Sequence, residues 1–347
     1  MAKAKILPIP SFYDPDNAEK WGFRPNEKVL FEEAAKWRKA HNIAPAAGDK
    51  TNIVLMIIDG QKDFCYPEGT LYVGGRSGRG AIEDNDRTAQ FIYKNLARLS
   101  DIYTTLDTHF IGQIFFPGFF VDANGDPVGA NTTITTAELK EGKYRPNEAY
   151  AAWLCNGNYA WLLKQVIHYT EELERAGKYQ LYIWPFHCLL GSEGHALAGV
   201  LQEARFFHAA ARFVQTWAEV KGGNPLTENY SVFRPEVLSK WDGLPLTQKN
   251  AKFIEKLTRA DYMIIAGQAA SHCVKSSIED LLAEILATDA ELAKKVYILR
   301  DCTSAVVIPG IVDFTDAAEA AFDKFAAAGM NLVNSIDPIE NWPGMSL

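Results

Sequence analysis

The chain has 347 residues, 48% of them apolar and 22% charged, with a formal charge of −8 at pH 7. That is enough apolar material for one large α/β domain or two smaller ones. The acidic balance, with no lysine–arginine cluster, argues against nucleic acid or an anionic membrane as partner. No apolar run approaches the roughly 20 residues of a membrane-spanning helix. The opening Met-Ala-Lys-Ala-Lys-Ile-Leu-Pro lacks the apolar stretch of a secretory signal. Cysteines at 65, 155, 188, 273 and 302 form no CxxC pair. This speaks against a disulfide framework or a cysteine-rich zinc site and for a reducing, cytoplasmic setting.

Residues 1–50 read as an N-terminal extension. Pro8, Pro10, Pro15 and Pro25 keep its first half irregular, and 27–41 has the spacing of an amphipathic helix with Phe31, Ala34, Ala35 and Trp37 on its apolar side. Ile53–Ile58 is a continuous apolar run, the mark of a strand buried on both faces. A helix over 83–99 leads to a second strand, 102–106, which ends at Asp107-Thr108-His109. Residues 110–180 show no clear sheet element, only a Gly/Asn/Thr-rich loop at 121–136 and a Trp-, Tyr- and Leu-rich helix near 148–175. A short apolar run at 179–183 ends at Trp184-Pro185. It precedes a helix over 194–206, a strand over 212–220 ending at Lys221, a loop to about 247 and a helix over 248–257. The strand at 262–267 breaks at Gly267, and a helix begins near Cys273, with Val274, Ile278, Leu281, Leu282 and Ile285 at helical spacing. A strand at 295–299, a helix over 314–328 and a strand near 330–335 follow. Strands alternating with helices predict an α/β fold with a mostly parallel sheet covered on both faces.

Polar residues gather at the carboxyl ends of these strands, where ligands of parallel sheets bind. Asp59 and Asp63 follow the first strand, Asp107 and His109 the second, Lys221 the strand before 221, and Cys273 the strand at 262–267. A thiol in the first turn of a helix lies in the field of free backbone N–H groups, which favours thiolate, and a neighbouring ammonium adds to that effect. A strand-to-helix turn is also where an α/β protein exposes a nucleophile.

The pattern has a counterpart. Asp59-x-Gln61-x-Asp63-Phe64, Asp107-x-His109, Trp184-Pro185-x-His187-Cys188-x-x-Gly191-Ser192-x-Gly194, Lys221-Gly222 with Tyr230-Ser231-x-Phe233, Gly267-x-Ala269-x-x-x-Cys273-Val274 and Asp301-Cys302-Thr303 occur in one order over about residues 52–336. In these the chain resembles the isochorismatase-like cysteine hydrolases, most of all the nicotinamidases. The resemblance implies a three-layer sandwich over residues 51–347 with a six-stranded, mostly parallel sheet in the order 3-2-1-4-5-6. A large helical insertion at about 110–180 would interrupt it. The 74 residues between His109 and Trp184 far exceed what compact members need.

It further implies a catalytic triad of Cys273 as nucleophile, Asp59 as proton carrier and Lys221. The oxyanion hole would be the N–H groups of Ala269 and Cys273, with a cis peptide at Gln268–Ala269. Asp107, His109 and His187 match the family's metal ligands, for zinc or else iron or manganese, with the substrate's pyridine nitrogen reaching the metal. Phe64, Trp184 and Tyr230 match substrate-binding aromatics, and Asp63 would orient Lys221 from behind. His272 is expected to point away from the site. The substrate implied is nicotinamide or a close heteroaromatic carboxamide. A carbamoyl, maleamate or ureido amide is the alternative within the group, and an inactive binding or scaffold protein is the alternative outside it. A homo-oligomer is expected.

Overall fold

In the computed structural model, residues 6–177 and 179–347 are described. The first five residues, which form part of the stretch read as lacking a secretory signal, lie outside the described residues. The N-terminal segment carries α1 (Glu27–His41). β1 (Ile53–Ile58) leads through the short α2 (Lys62–Cys65) to α3 (Gly80–Asn95) and β2 (Asp101–Asp107). Next come β3 (Phe120–Asp122), β4 (Thr132–Ile134), α4 (Thr136–Lys140), β5 (Tyr144–Pro146), α5 (Glu148–Cys155), α6 (Tyr159–Ala176) and β6 (Leu181–Ile183). They are followed by α7 (Gly199–Arg212), β7 (Trp217–Lys221), α8 (Ala251–Thr258), β8 (Tyr262–Gly267), α9 (Cys273–Thr288) and β9 (Val296–Leu299). The hairpin β10 (Val307–Ile308) and β11 (Val312–Asp313), then α10 (Thr315–Ala327) and β12 (Asn331–Val333), complete the series.

Six strands form one parallel sheet in the order β12-β9-β8-β1-β2-β7. Counted in sequence from the β7 edge, this is 3-2-1-4-5-6, as expected. β1 is central and buried at every position. Ile53, Leu55 and Ile57 pack against α3 and α7 through Ala89, Ile92, Leu201 and Ala204. Val54, Met56 and Ile58 pack against α9 and α10 through Val274, Ile278, Leu281 and Phe322. The unbroken apolar run in β1 is thus the sequence of a strand with helices on both sides. The register pairs Ile58 with Gly267 and Asp107 with Lys221. This brings the carboxyl ends of β1, β2, β7 and β8 to one edge. Among the described residues no helix is long and apolar enough to cross a membrane.

The N-terminal segment joins this core. Leu7, Leu30, Ala34 and Ile43 are buried within it, and the Arg38 guanidinium donates to Ala210 O at 3.3 Å on α7. The helix at 27–41 has the expected bounds, but its buried stripe is Leu30 and Ala34, and Phe31 faces solvent at 61% exposure.

The segment read as lacking strands has three, and the apolar run before Trp184 supplies a fourth. β3 pairs with β5 and β4 with β6, both antiparallel, so that apolar run joins this lobe and stays out of the main sheet. The single helix near 148–175 is two helices, parted where Asn156 and Gly157 take positive φ. The lobe has its own core, including Ile114, Phe116, Phe120, Leu162, Val166 and Ile183, which Leu226 and Val237 join from farther along the chain. The expected strand over 212–220 is shorter. α7 runs to Arg212 because Leu201, Ala204, Phe207, His208 and Ala211 bury at helical spacing, and Phe213 ends it with φ +57°.

Candidate active site

Asp59 follows β1, Asp107 ends β2, Lys221 ends β7 and Cys273 opens α9. Gly267 makes the approach possible, since a Cβ there would lie 2.0 Å from Ile58 O and its φ is +114°. The Lys221 ammonium lies 3.0 Å from Asp59 Oδ2, 2.9 Å from Asp107 Oδ1 and 2.8 Å from Asn229 O, and 3.6 Å from Cys273 Sγ. The Asp59 carboxylate also accepts from the Thr105 hydroxyl, and the Asp59 N–H donates back to that oxygen at 3.0 Å. The structure therefore brings Cys273, Asp59 and Lys221 together, all buried.

Charge balance decides their protonation. Burial works against the Lys221 ammonium, but Asp107, Asp59 and Cys273 outweigh it and hold its pKa well above the usual range. Burial raises the Asp59 carboxyl, with Lys221 opposing. Burial likewise opposes ionisation of Asp107, and the Lys221 ammonium works against burial there. The Cys273 thiol departs from expectation. Burial pushes its pKa well above the usual range, and Asp59 and Asp107 add to this, with Lys221 alone opposing by charge. One ammonium, already shared by two carboxylates, does not offset desolvation. The resting sulfur is a thiol beside a proton acceptor, and ionisation belongs to the attack itself.

Asp107, His109 and His187 offer donor atoms that all lie within 4.8 Å of one another. His187 Nδ1 is 2.8 Å from Pro185 O, and His109 Nδ1 is 3.3 Å from Gly222 O. Carbonyl oxygens only accept, so both rings carry their proton on Nδ1 and leave Nε2 bare. Those Nε2 atoms lie 2.9 Å (His109) and 3.6 Å (His187) from Asp107 Oδ2. Burial lowers the His109 pKa despite Asp107, which keeps this ring neutral. Lone pairs aimed at a carboxylate oxygen call for a cation among them, and this donor set fits a divalent metal. Phe116, from the lobe that follows, packs edge-on against both imidazoles at 5.4 Å. Gly222 seals the site from the other side. A Cβ there would stand 2.8 Å from His109 Cε1 and 3.0 Å from Asp107 Oδ1, at a φ of +90°. Gly222→Ala is expected to lower metal affinity by about 10-fold or more, read by metal analysis after dialysis against graded chelator. Unchanged metal content would show that the donor set lies elsewhere.

A cavity of about 180 Å³ opens over Cys273, bounded by Phe64, Trp184, Tyr230, Ala269, His187 and Asp107 among others. That is below the roughly 300–1,000 Å³ of sites for drug-sized ligands, so the occupant is small. The peptide Gln268–Ala269 is cis. Among the described residues, neither the Ala269 nor the Cys273 N–H donates to a protein acceptor, which leaves both available to a ligand oxygen. Asp63 does not reach Lys221. Its carboxylate accepts from the N–H groups of Cys188 at 2.7 Å and Thr70 at 3.3 Å, so it pins the turn after His187.

Three residues escaped the sequence reading as site residues. The Gln61 amide donates to Asp107 O and accepts from Asp107 N, clamping the end of β2. Its place in the first motif was the available signal. Glu228 is buried on the cavity wall, and burial followed by the Asp107 charge raises its carboxyl to about 8. It sits in a loop without periodicity. His272 lines the cavity, against the expectation that it points away.

Fold and site together define a doubly wound parallel α/β protein with a buried Cys–Asp–Lys cluster beside a His–His–Asp donor set. No family model matches the chain, and no curated protein matches its sequence. Similar solved structures include the yeast nicotinamidase, at 18% identity and a TM-score of 0.49, covering 81% of this chain and 99% of that one. A nicotinamidase–pyrazinamidase of Acinetobacter baumanii has 18% identity and a TM-score of 0.47, covering 83% and 98%. The pyrazinamidase of Pyrococcus horikoshii in complex with zinc has 18% identity and a TM-score of 0.43, covering 82% and 99%.

Proposed function

We propose that the chain is a cysteine amidohydrolase that cleaves the carboxamide of nicotinamide or a related small heteroaromatic amide to the acid and ammonia. The observation that carries this reading is the Lys221 ammonium, held within 3.0 Å of Asp59 and 3.6 Å of Cys273 Sγ under a small, largely apolar cavity. Cys273 Sγ attacks the amide carbon as Asp59 takes the thiol proton. The oxyanion is received by the N–H groups of Ala269 and Cys273. Asp59 passes its proton to the leaving nitrogen, ammonia departs, and a thioester remains. Water, deprotonated by Asp59, then releases the acid and restores the thiol. Lys221 keeps its charge throughout and stabilises the anionic partners. A divalent metal held by Asp107, His109 and His187, with zinc first among the candidates, supplies an electrophilic anchor for a heteroatom of the substrate when bound.

Among the described residues, the cavity wall is mainly apolar, with Phe64, Trp184 and Tyr230 beside the carboxyl groups of Asp107 and Glu228. Aromatic walls suit a flat ring better than the open chain of maleamate, which favours the heteroaromatic amide. A pure scaffold has no use for three buried charges gathered about a thiol. The five free thiols fit a reducing compartment, and the cytoplasm and a homo-oligomeric state complete the proposal.

The test is ammonia release from nicotinamide, pyrazinamide, maleamate and ureidoacrylate, with and without chelator. Turnover of the first two and its loss on chelation are expected. Turnover of none, or of maleamate alone, would refute the assignment.

A further inference from the structure

His272 stands beside the nucleophile and has no part in the chemistry above. Its surroundings set its tautomer. The Val306 N–H donates to Ser271 Oγ at 3.0 Å, and Ser271 Oγ lies 2.9 Å from His272 Nδ1. With Ser271 Oγ already accepting from Val306, we assign its hydroxyl proton to His272 Nδ1, which places the ring proton on Nε2. Burial, with Lys275 nearby, lowers the imidazole pKa to about 4, so the ring is neutral at pH 7. Trp184, Tyr230 and Phe314 hold the ring by edge contacts at 6.0, 5.8 and 5.1 Å.

The ring lines the cavity, and its Nε2 has no protein partner among the described residues. Two other donors of the wall are engaged within the protein. The Trp184 indole N–H donates to the Tyr230 hydroxyl oxygen at 2.9 Å, and the Gln268 amide donates to Asp84 at 2.9 Å. His272 thus adds a neutral N–H donor to the wall of the cavity that Cys273 also lines.

We infer that His272 is a specificity residue, whose Nε2–H donates to an acceptor on the substrate ring next to the carboxamide. The inference rests on the amidohydrolase reading and narrows its substrate class to rings with an acceptor at that position, such as the diazine carboxamides. A site built to meet an acceptor discriminates against the analogue that lacks it, because the donor is then left unpaired.

Pyrazinamide and nicotinamide differ by one ring nitrogen beside the carboxamide, and binding can be measured without turnover in the Cys273→Ala protein. Calorimetric titration of both amides is made with His272 intact, with His272→Phe and with His272→Gln. His272→Phe is expected to weaken pyrazinamide by about 10-fold and nicotinamide by less than about 2-fold. His272→Gln, which keeps an N–H donor, is expected to restore part of the loss. Equal weakening of both amides, no weakening of either, or no binding of either would overturn the assignment. A failure of the amidohydrolase reading shows separately, as absent ammonia release from the unmodified protein while the binding contrast persists.

Discussion

Cys273→Ala is expected to abolish ammonia release, by about 10⁴-fold or more, while the protein stays folded. The loss is large because no other thiol or hydroxyl stands in its place. Ser271 is committed to His272 and Val306, and Cys188 and Cys302 are buried in packing. The fold tolerates the change because one sulfur atom at the start of α9 contributes little packing, about 1 kcal/mol. Asp59→Asn should approach the same loss of activity, since the amide still accepts from Thr105 but takes no proton from sulfur. Steady-state ammonia release and a thermal melt check both halves of the prediction. Retained turnover in Cys273→Ala removes the nucleophile from the mechanism.

Lys221→Met is expected to damage stability as well as catalysis. It leaves Asp59 and Asp107 buried and facing each other without their shared cation. Removing one partner from such a cluster costs about 3–5 kcal/mol. The cost depends on pH in a definite direction. The Asp59 carboxyl already titrates above its ordinary value with Lys221 in place, and loss of the ammonium raises it further. The folded variant then binds more protons than the unfolded chain. Stability therefore falls as pH rises from the ordinary carboxylate value near 4 toward the raised folded value. The variant should be more stable at pH 5 than at pH 8, relative to the unmodified protein. Urea unfolding of both proteins after chelation, at the two pH values, decides the matter. An equal loss at both, or none, would show that Asp59 and Asp107 do not depend on Lys221.

The main sheet was legible because burial on both faces writes continuous apolar runs at 53–58 and 262–267, and the polar residues that close such runs fall at one edge by topology alone. Asp59, Asp107, Lys221 and Cys273 could be placed that way. His187 could not, since it lies on no main-sheet strand, and only the motif around it pointed to the site. The lobe between β2 and α7 was opaque for a physical reason. Its strands are three residues long, too short for a two-residue period to show, and its core draws on Leu226 and Val237 from beyond the interval. α7 ran past its expected end because Ala209, Ala210 and Ala211 suit helix as readily as a loop. The thiol was misjudged because a helix start and a lysine are visible in sequence, whereas desolvation and a second carboxylate are properties of the folded state. His272 was misjudged because its orientation hangs on one serine hydroxyl, which carries no pattern.

The packing of α1 on α7 sets an order for the chain's birth. Arg38 and Ala210, hydrogen-bonded across that contact, are 172 positions apart. At roughly 5–20 residues per second of synthesis, the apolar stripe of α1 waits on the order of ten to thirty seconds for its partner to emerge. During that interval Leu30, Ala34 and their neighbours are open to any passing surface. α1 is therefore made well before the surface it docks on, and a chaperone acting on the nascent chain could hold it through that interval.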